Sequence, residues 1–202
     1  MLVLFQQGGI ILVLIMIFSV IAAAIIIERL IFFGRIRSDE DKLLMRLKNS
    51  LQKGHFEEAL SICEQNPTPV TNLMKVGIEY RSYNSEVIKG AISDAANMEI
   101  PRMEGALSFL GTIAHITPLL GLLGTVTGNI EAFGVLGEFG MGGDPALLAR
   151  GIAEALVTTA AGIIVSIPSI IFYNHLVSKV NHAIIRLENR VSELVLFLKA
   201  GT

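Results

Sequence analysis

The stretch Gly151-Ile-Ala-Glu-Ala-Leu-Val-Thr-Thr-Ala-Ala-Gly-Ile-Ile-Val-Ser-Ile-Pro168 holds a single ionisable residue, Glu154, in a run that stays uncharged to Val177. It exceeds the roughly 20 apolar residues needed to cross about 30 Å of hydrocarbon. A carboxylate inside such a span costs at least a few kcal/mol on insertion scales, so Glu154 points first to an ion or proton path. Working outward, residues 1–27 and 105–130 contain no Asp, Glu, Lys or Arg at all. These three stretches predict an all-α integral membrane protein with three transmembrane helices and long cytoplasmic helical extensions. A soluble bundle of buried helices would need polar faces at helical spacing, which residues 10–27 lack.

Charge placement sets the expected orientation. Lys and Arg residues are concentrated from Arg35 to Arg102 and again from Lys179 to Lys199, and none precedes the first span. By the positive-inside rule the N-terminus lies outside and the C-terminus is cytoplasmic. The expected organisation is an extracytoplasmic N-terminus at 1–8, a first span at 9–33, a cytoplasmic helical region at 34–105 and a second span at 106–135. An extracytoplasmic loop at 136–149, a third span at 150–178 and a cytoplasmic C-terminal helix at 179–202 complete it. The first span lacks a basic n-region and its apolar run is long, so it reads as an N-out anchor and not as a cleaved signal.

With 52% hydrophobic and 17% charged residues and a mean hydropathy of +0.62, the chain is too apolar for an ordinary soluble domain. Its formal charge of −2 and interleaved acids exclude nucleic acid as an expected partner. Cys63 is the only cysteine, so no internal disulfide or metal-type spacing exists, and it reads as a small apolar helix residue. No metal or cofactor is expected. No catalytic residues are assigned, because the spans hold no paired acids, no His-Glu-x-x-His and no Gly-x-Ser-x-Gly. The glycine-rich Gly137-Glu-Phe-Gly-Met-Gly-Gly-Asp144 lacks a following Gly-Lys-Ser/Thr and is a turn, not a phosphate cradle.

The cytoplasmic region has helical periodicity. Leu43, Leu44, Leu47 and Leu51 follow Ser38-Asp39, an expected N-cap, and Phe56, Ala59, Leu60 and Cys63 precede the breakers Pro67 and Pro69. This resembles a helical hairpin. A further helix is expected from Ser85-Glu86 straight toward span two, bent at Pro101. In the tail, Val180, Ile184, Leu187, Val191, Leu194 and Leu198 form a stripe expected to pack on the other cytoplasmic helices.

The spans differ in kind. Span one is mostly Ile, Leu, Val and Phe, which suits lipid-facing anchorage. Span two gathers Ala114, Thr117, Gly121, Gly124, Thr125, Gly128 and Ala132 on one arc, and span three gathers Gly151, Ala155, Thr158, Thr159, Gly162, Ser166, Ser169 and Tyr173. Pro118 and Pro168 are expected helix kinks. Two explanations of the stripes stand side by side: close helix packing with hydroxyls bonded to backbone, or a polar passage in which hydroxyls replace water. Three helices cannot enclose a pore, so a passage requires further copies of the chain or spans from a partner.

Pro118-Leu-Leu-Gly-Leu-Leu-Gly-Thr-Val-Thr-Gly, then Gly151-Ile-Ala-Glu-Ala-Leu-Val-Thr-Thr-Ala-Ala-Gly, Ile167-Pro168 and Tyr173-Asn174, closely resemble the MotA/TolQ/ExbB proton-channel family. Glu28-Arg29-Leu30 is a weaker match, and the three-span organisation places the resemblance in the ExbB/TolQ branch. The resemblance implies a stator or channel subunit of a proton-motive-force-driven motor in the bacterial inner membrane, energising envelope processes such as outer-membrane transport or envelope maintenance. It implies a homopentamer around an ExbD- or TolR-like single-span partner that carries the key aspartate, with H+ as coupling ion. The implied ion-pathway residues are Thr125, Thr159, Thr158 and Glu154; Gly121, Gly124, Gly128, Ala155, Gly162 and Ser166 are the small residues of the pore helices. No long N-terminal extracytoplasmic extension of the kind some ExbB proteins carry is expected, and His115 and Thr117 have no assigned place in the family pattern. The alternative is a passive membrane scaffold in which the small-residue stripes serve packing alone.

Counting residues places Glu154 about one turn, roughly 6 Å, from the expected outer end of span three. It therefore suits a gate or anchor at the outer mouth, with Thr159 and Thr125 deeper and the carrying carboxylate on another chain.

Overall fold

Punctuation by Pro, Gly and capping residues divides the described residues into six helices. The computed structural model describes residues 9–139 and 145–200. These form α1 (Gly9–Gln52), α2 (Phe56–Gln65), α3 (Pro69–Glu79), α4 (Ser85–Glu104), α5 (Leu107–Phe139) and α6 (Pro145–Ala200), with no strand among the described residues. The expected N-terminus at 1–8 and the stretch 140–144 of the expected outer loop lie outside the described residues. Three helical stretches are long and apolar enough to cross a membrane. The protein is thus all-α with three membrane-spanning helices.

The chain divides into two compact units, one of residues 1–28 and 106–176 and one of residues 29–105 and 177–202. In the first unit, the N-terminal part of α1 presents most of its surface outward. Only 17% of its apolar window is buried, against 39% and 33% for the other two candidate spans, which fits a peripheral anchor. Leu12, Ile15 and Ala22 form its buried stripe, while Ile10, Ile17, Val20 and Ile27 are exposed. In water such exposure would be unfavourable; against lipid tails it is not.

The second unit has a core of its own, built by Leu43, Leu44 and Leu47 of α1, Ile62 and Cys63 of α2, Leu73, Met74 and Ile78 of α3, Ile88 and Ile92 of α4, and Leu187 and Leu194 of α6. Val180, Leu187 and Leu194 of the tail stripe are buried here, and the side chains of Val191 and Leu198 lie outside the described residues. A Cβ on Gly77 would stand 2.6 Å from a Leu194 methyl, so a larger residue at 77 would displace the Leu194 side chain. Burial pushes the Cys63 thiol up to about 11, although Lys75 nearby pulls the other way, and a thiol kept neutral fits a small apolar core residue.

Three local features depart from the sequence expectation. Ser38-Asp39 does not cap a new helix, because α1 runs unbroken through it. Residues 35–52 contain helix formers and no proline, and extending an existing helix is easier than nucleating another. The break before span two falls at Gly105, not Pro101. Pro101 sits inside α4, and Gly105 takes φ +49°, ψ −128°. Residues 69–79, read only as a break, form α3: Pro69 opens it, Thr68 accepts from the Thr71 N–H, and the Thr71 hydroxyl accepts from the Thr68 N–H in a reciprocal capping box.

The Gly105 turn also explains Arg29. Its Nη1 donates to the Arg102 carbonyl at 2.9 Å and the Met103 carbonyl at 3.2 Å. These are among the last carbonyls of α4, which lack helical partners and carry the negative end of the helix dipole. A Cβ on Gly105 would fall on the Arg29 guanidinium. Gly105→Ala therefore meets both a backbone penalty and a clash, with an expected loss of about 1–3 kcal/mol. Thermal melting of the detergent-solubilised chain checks this, and an unchanged melting temperature would contradict it.

Lys48 of α1 donates to Glu193 of α6, which also accepts from Arg190 at 3.2 Å. The Lys48 ammonium, helped by Arg190, holds the Glu193 carboxyl below its ordinary 4.5. A group whose folded value is lowered contributes stability that is fully present above its unfolded value and is lost as pH falls through the folded one. The melting-temperature difference between the parent and Glu193→Gln should accordingly be present at pH 7 and close as pH falls below 4.5; a difference independent of pH would refute the ion pair's role.

Candidate functional site

Within the membrane unit, α5 and α6 meet along a seam of small residues where backbone approaches backbone. A Cβ on Gly162 would lie 2.5 Å from the Thr117 carbonyl oxygen, and one on Gly121 would lie 2.9 Å from the Thr158 oxygen and the Thr159 Cα. Gly124 faces the Thr158 hydroxyl with no room for a side chain, and Gly128 faces Ala155. Lipid tails offer no hydrophobic drive toward helix pairing, so such close approach and the hydrogen bonds it permits supply the association.

Those hydrogen bonds are made by hydroxyls donating to carbonyls. Thr159 Oγ1 donates to the Gly121 carbonyl across the seam at 2.7 Å. Thr158 Oγ1 donates to Ala155 of its own helix at 2.7 Å, with a longer 3.4 Å approach to Gly121. Ser166 Oγ donates to the Ala114 carbonyl at 2.6 Å. The last bond has a local cause: Pro118 lies four residues after Ala114 and has no N–H, so the Ala114 carbonyl lacks its usual helical partner. Ser166 supplies one from the other helix. Pro118 and Pro168 both lie inside continuous helices.

The candidate residues divide by exposure. Thr117, Thr158 and Ser166 are buried within the seam. Thr125 and Thr159 are only half-buried. Thr125 Oγ1 donates to the Leu122 carbonyl of its own helix at 2.7 Å. In both half-buried threonines the proton is directed to a carbonyl, leaving oxygen lone pairs able to accept a hydrogen bond from a protonated acid. Glu154 lies in the third turn of α6, paired with Arg150 at 3.0 Å. That i,i+4 pair supplies the counter-charge for the carboxylate that stood alone in the apolar run.

Two features lay beyond sequence reasoning. Gly111 admits the Tyr173 ring, which would stand 2.9 Å from a Cβ there; the aromatic at position 173 was visible, its partner was not. His115 Nδ1 pairs with the Gly111 carbonyl at 2.7 Å, a bond within α5. Among the described residues no cluster of His, Cys, Asp and Glu suited to a metal exists.

Residues 65–189 match the model of the MotA/TolQ/ExbB proton channel family. The chain is 34% identical to the Tol-Pal system protein TolQ of Haemophilus influenzae, over 85% of this chain and 79% of that protein. It is 38% identical to the biopolymer transport protein ExbB of Aquifex aeolicus, over 55% of this chain and 74% of that one. A protein of Methanothermobacter thermautotrophicus named as a biopolymer transport ExbB homologue is 29% identical over 92% of this chain. The match spans 66% of that relative, just under two thirds of its length. Together with the three apolar helices these matches identify a multi-pass protein of the bacterial inner membrane. This chain, with its three membrane-spanning helices and its α5–α6 seam, belongs to the ExbB/TolQ branch of the MotA/TolQ/ExbB proton channel family.

Proposed function

We propose that the chain is the stator subunit of a motor driven by the proton-motive force, energising an envelope process such as outer-membrane transport or envelope maintenance. It works as a homo-oligomer, a pentamer by family likeness, surrounding the span of an ExbD- or TolR-like partner. The N-terminus and the connection between α5 and α6 face outward and the long helical extensions face the cytoplasm, as the Lys and Arg distribution favours. The chain positions a proton carrier and performs no bond chemistry of its own.

The observation that carries this reading is a separation of roles along the seam. Thr117, Thr158 and Ser166 are buried and bonded to carbonyls, while Thr125 and Thr159 are half-buried with lone pairs left over. Residues 105–130 and 155–177 contain no carboxylate. A proton moving at this depth therefore needs an acid from another chain, and the two threonines are suited to accept a hydrogen bond from that acid in its protonated form. Glu154, paired with Arg150, is an anchor at the outer mouth. The driving force is adequate, since one charge crossing yields about 2.3 kcal/mol per 100 mV. A passive scaffold is the second reading, favoured by the use of Thr158 and Ser166 in packing.

Two substitutions separate these readings. Thr159→Val removes the acceptor and the seam bond together, whereas Thr159→Ser keeps both. In vesicles holding the complex with its partner, Thr159→Val should lower proton flux about tenfold or more, the loss of one hydrogen bond to an ionisable group, and Thr159→Ser should largely retain it. Flux unaffected by Thr159→Val would contradict the motor reading. Gly162→Ala, which forces a methyl onto the Thr117 carbonyl, should instead lower stability by about 1–3 kcal/mol. Thermal melting reads it out, and a stable Gly162→Ala chain would contradict the seam itself.

A further inference from the structure

We propose that the cytoplasmic unit holds an anionic phospholipid by its phosphodiester headgroup, in the cavity flanked by Lys179, His182 and Arg186. The cavity encloses about 580 Å³ and is walled on its apolar side by Phe33, Val70 and Ile185. That volume falls in the range of ordinary ligand sites.

Its position points to lipid. The cavity is lined by Gly34, where the first apolar span ends, by Met103, two residues before the uncharged run of span two, and by Lys179, the first charged residue after the run of span three. The ends of three membrane-spanning stretches thus converge on one cavity, which sets it at the depth of lipid headgroups. Its chemistry points to an anion. Lys179, His182 and Arg186 are spaced i, i+3 and i+7, so they share one face of α6. None of them makes an ion pair or hydrogen bond among the described residues, unlike Lys48, Lys75 and Arg102 of the same unit, which are paired with carboxylates. Among the described residues no carboxylate lines the cavity. Two permanent cations and an imidazole beside an aromatic and aliphatic wall match a phosphodiester followed by acyl chain, and basic pockets between helices at the cytoplasmic membrane face are suited to such headgroups. A soluble phosphate would use the cations and leave the apolar wall in water.

The test uses the purified full chain in detergent, titrated with phosphatidylglycerol, phosphatidylcholine or glycerol 1-phosphate and read by native mass spectrometry. Phosphatidylglycerol should bind in preference to phosphatidylcholine, and the double variant Lys179→Gln/Arg186→Gln should bind it about thirtyfold more weakly, the effect expected for two cations at a membrane surface. Gly34→Phe keeps every charge and meets no atom within 4 Å at its Cβ; by filling the cavity it should also weaken phosphatidylglycerol binding, and it decides the matter if the double variant fails to fold. Equal affinity for the two lipids, or binding unchanged in both variants, would overturn the proposal. Competition by glycerol 1-phosphate would assign the cations to a soluble phosphate instead. Loss of oligomer mass without any change in lipid binding would assign them to contact between copies of the chain, and would likewise overturn it.

Discussion

The contact between the α5 and α6 backbones at Gly121 and Gly162 is the constraint on which the membrane unit depends. At both positions a methyl group would stand 2.9 Å or less from backbone of the facing helix. Apolar side chains gain little by leaving lipid for one another, so the pair is held by close packing and by hydroxyl donors reaching carbonyls. The Gly121 carbonyl accepts from Thr159, and the Ala114 carbonyl, left without its helical partner by Pro118, accepts from Ser166. The bonds across the seam also determine which polar groups remain. With Thr158 and Ser166 buried in it, Thr125 and Thr159 are left half-buried as acceptors.

The two units solve the polar-group problem in opposite ways. In the membrane unit Glu154 is countered within its own helix by Arg150, and the other seam polar groups are hydroxyls that donate to carbonyls. In the second unit several full charges are paired: Lys75 donates to Glu64 at 2.7 Å, and the buried Glu99 accepts from Asn72 and Arg102, each at 2.9 Å. Arg29 belongs to the same logic, closing the carbonyl end of α4 where the chain turns at Gly105. No side chain but hydrogen fits beside that guanidinium, which gives the Glu28-Arg29-Leu30 motif a structural meaning.

Much of this was legible in the sequence because its signals are additive. Span existence follows from runs of uncharged residues, and the small-residue arcs of α5 and α6 follow from a period of 3.6, so Gly121, Gly124, Gly128, Ala155, Gly162 and Ser166 could be named without coordinates. What stayed hidden depends on partners distant in sequence. Ser38-Asp39 has the chemistry of a cap, but whether a helix begins there depends on whether the preceding one has stopped, and α1 has not. Pro101 signals a bend, yet the break falls at Gly105, where Arg29 occupies the space beside the turn. Thr158 and Thr159 are adjacent and identical in type. Only the direction of each toward α5 separates a buried packing residue from a half-buried acceptor.

The central claim is that α5 and α6 form one fixed unit while the mobile carboxylate arrives on another chain. A Cβ at Gly151 would lie 3.2 Å from the Ala132 Cβ, close to the separation a disulfide needs. The most direct measurement is therefore proton flux through the assembled complex carrying Ala132→Cys and Gly151→Cys in a Cys63→Ser background, compared before and after oxidation. The account predicts a link within one chain in high yield, with flux preserved in the oxidised state. Failure to form that link, or flux that stops on oxidation and returns on reduction, would show that the two helices must move against each other and would contradict it.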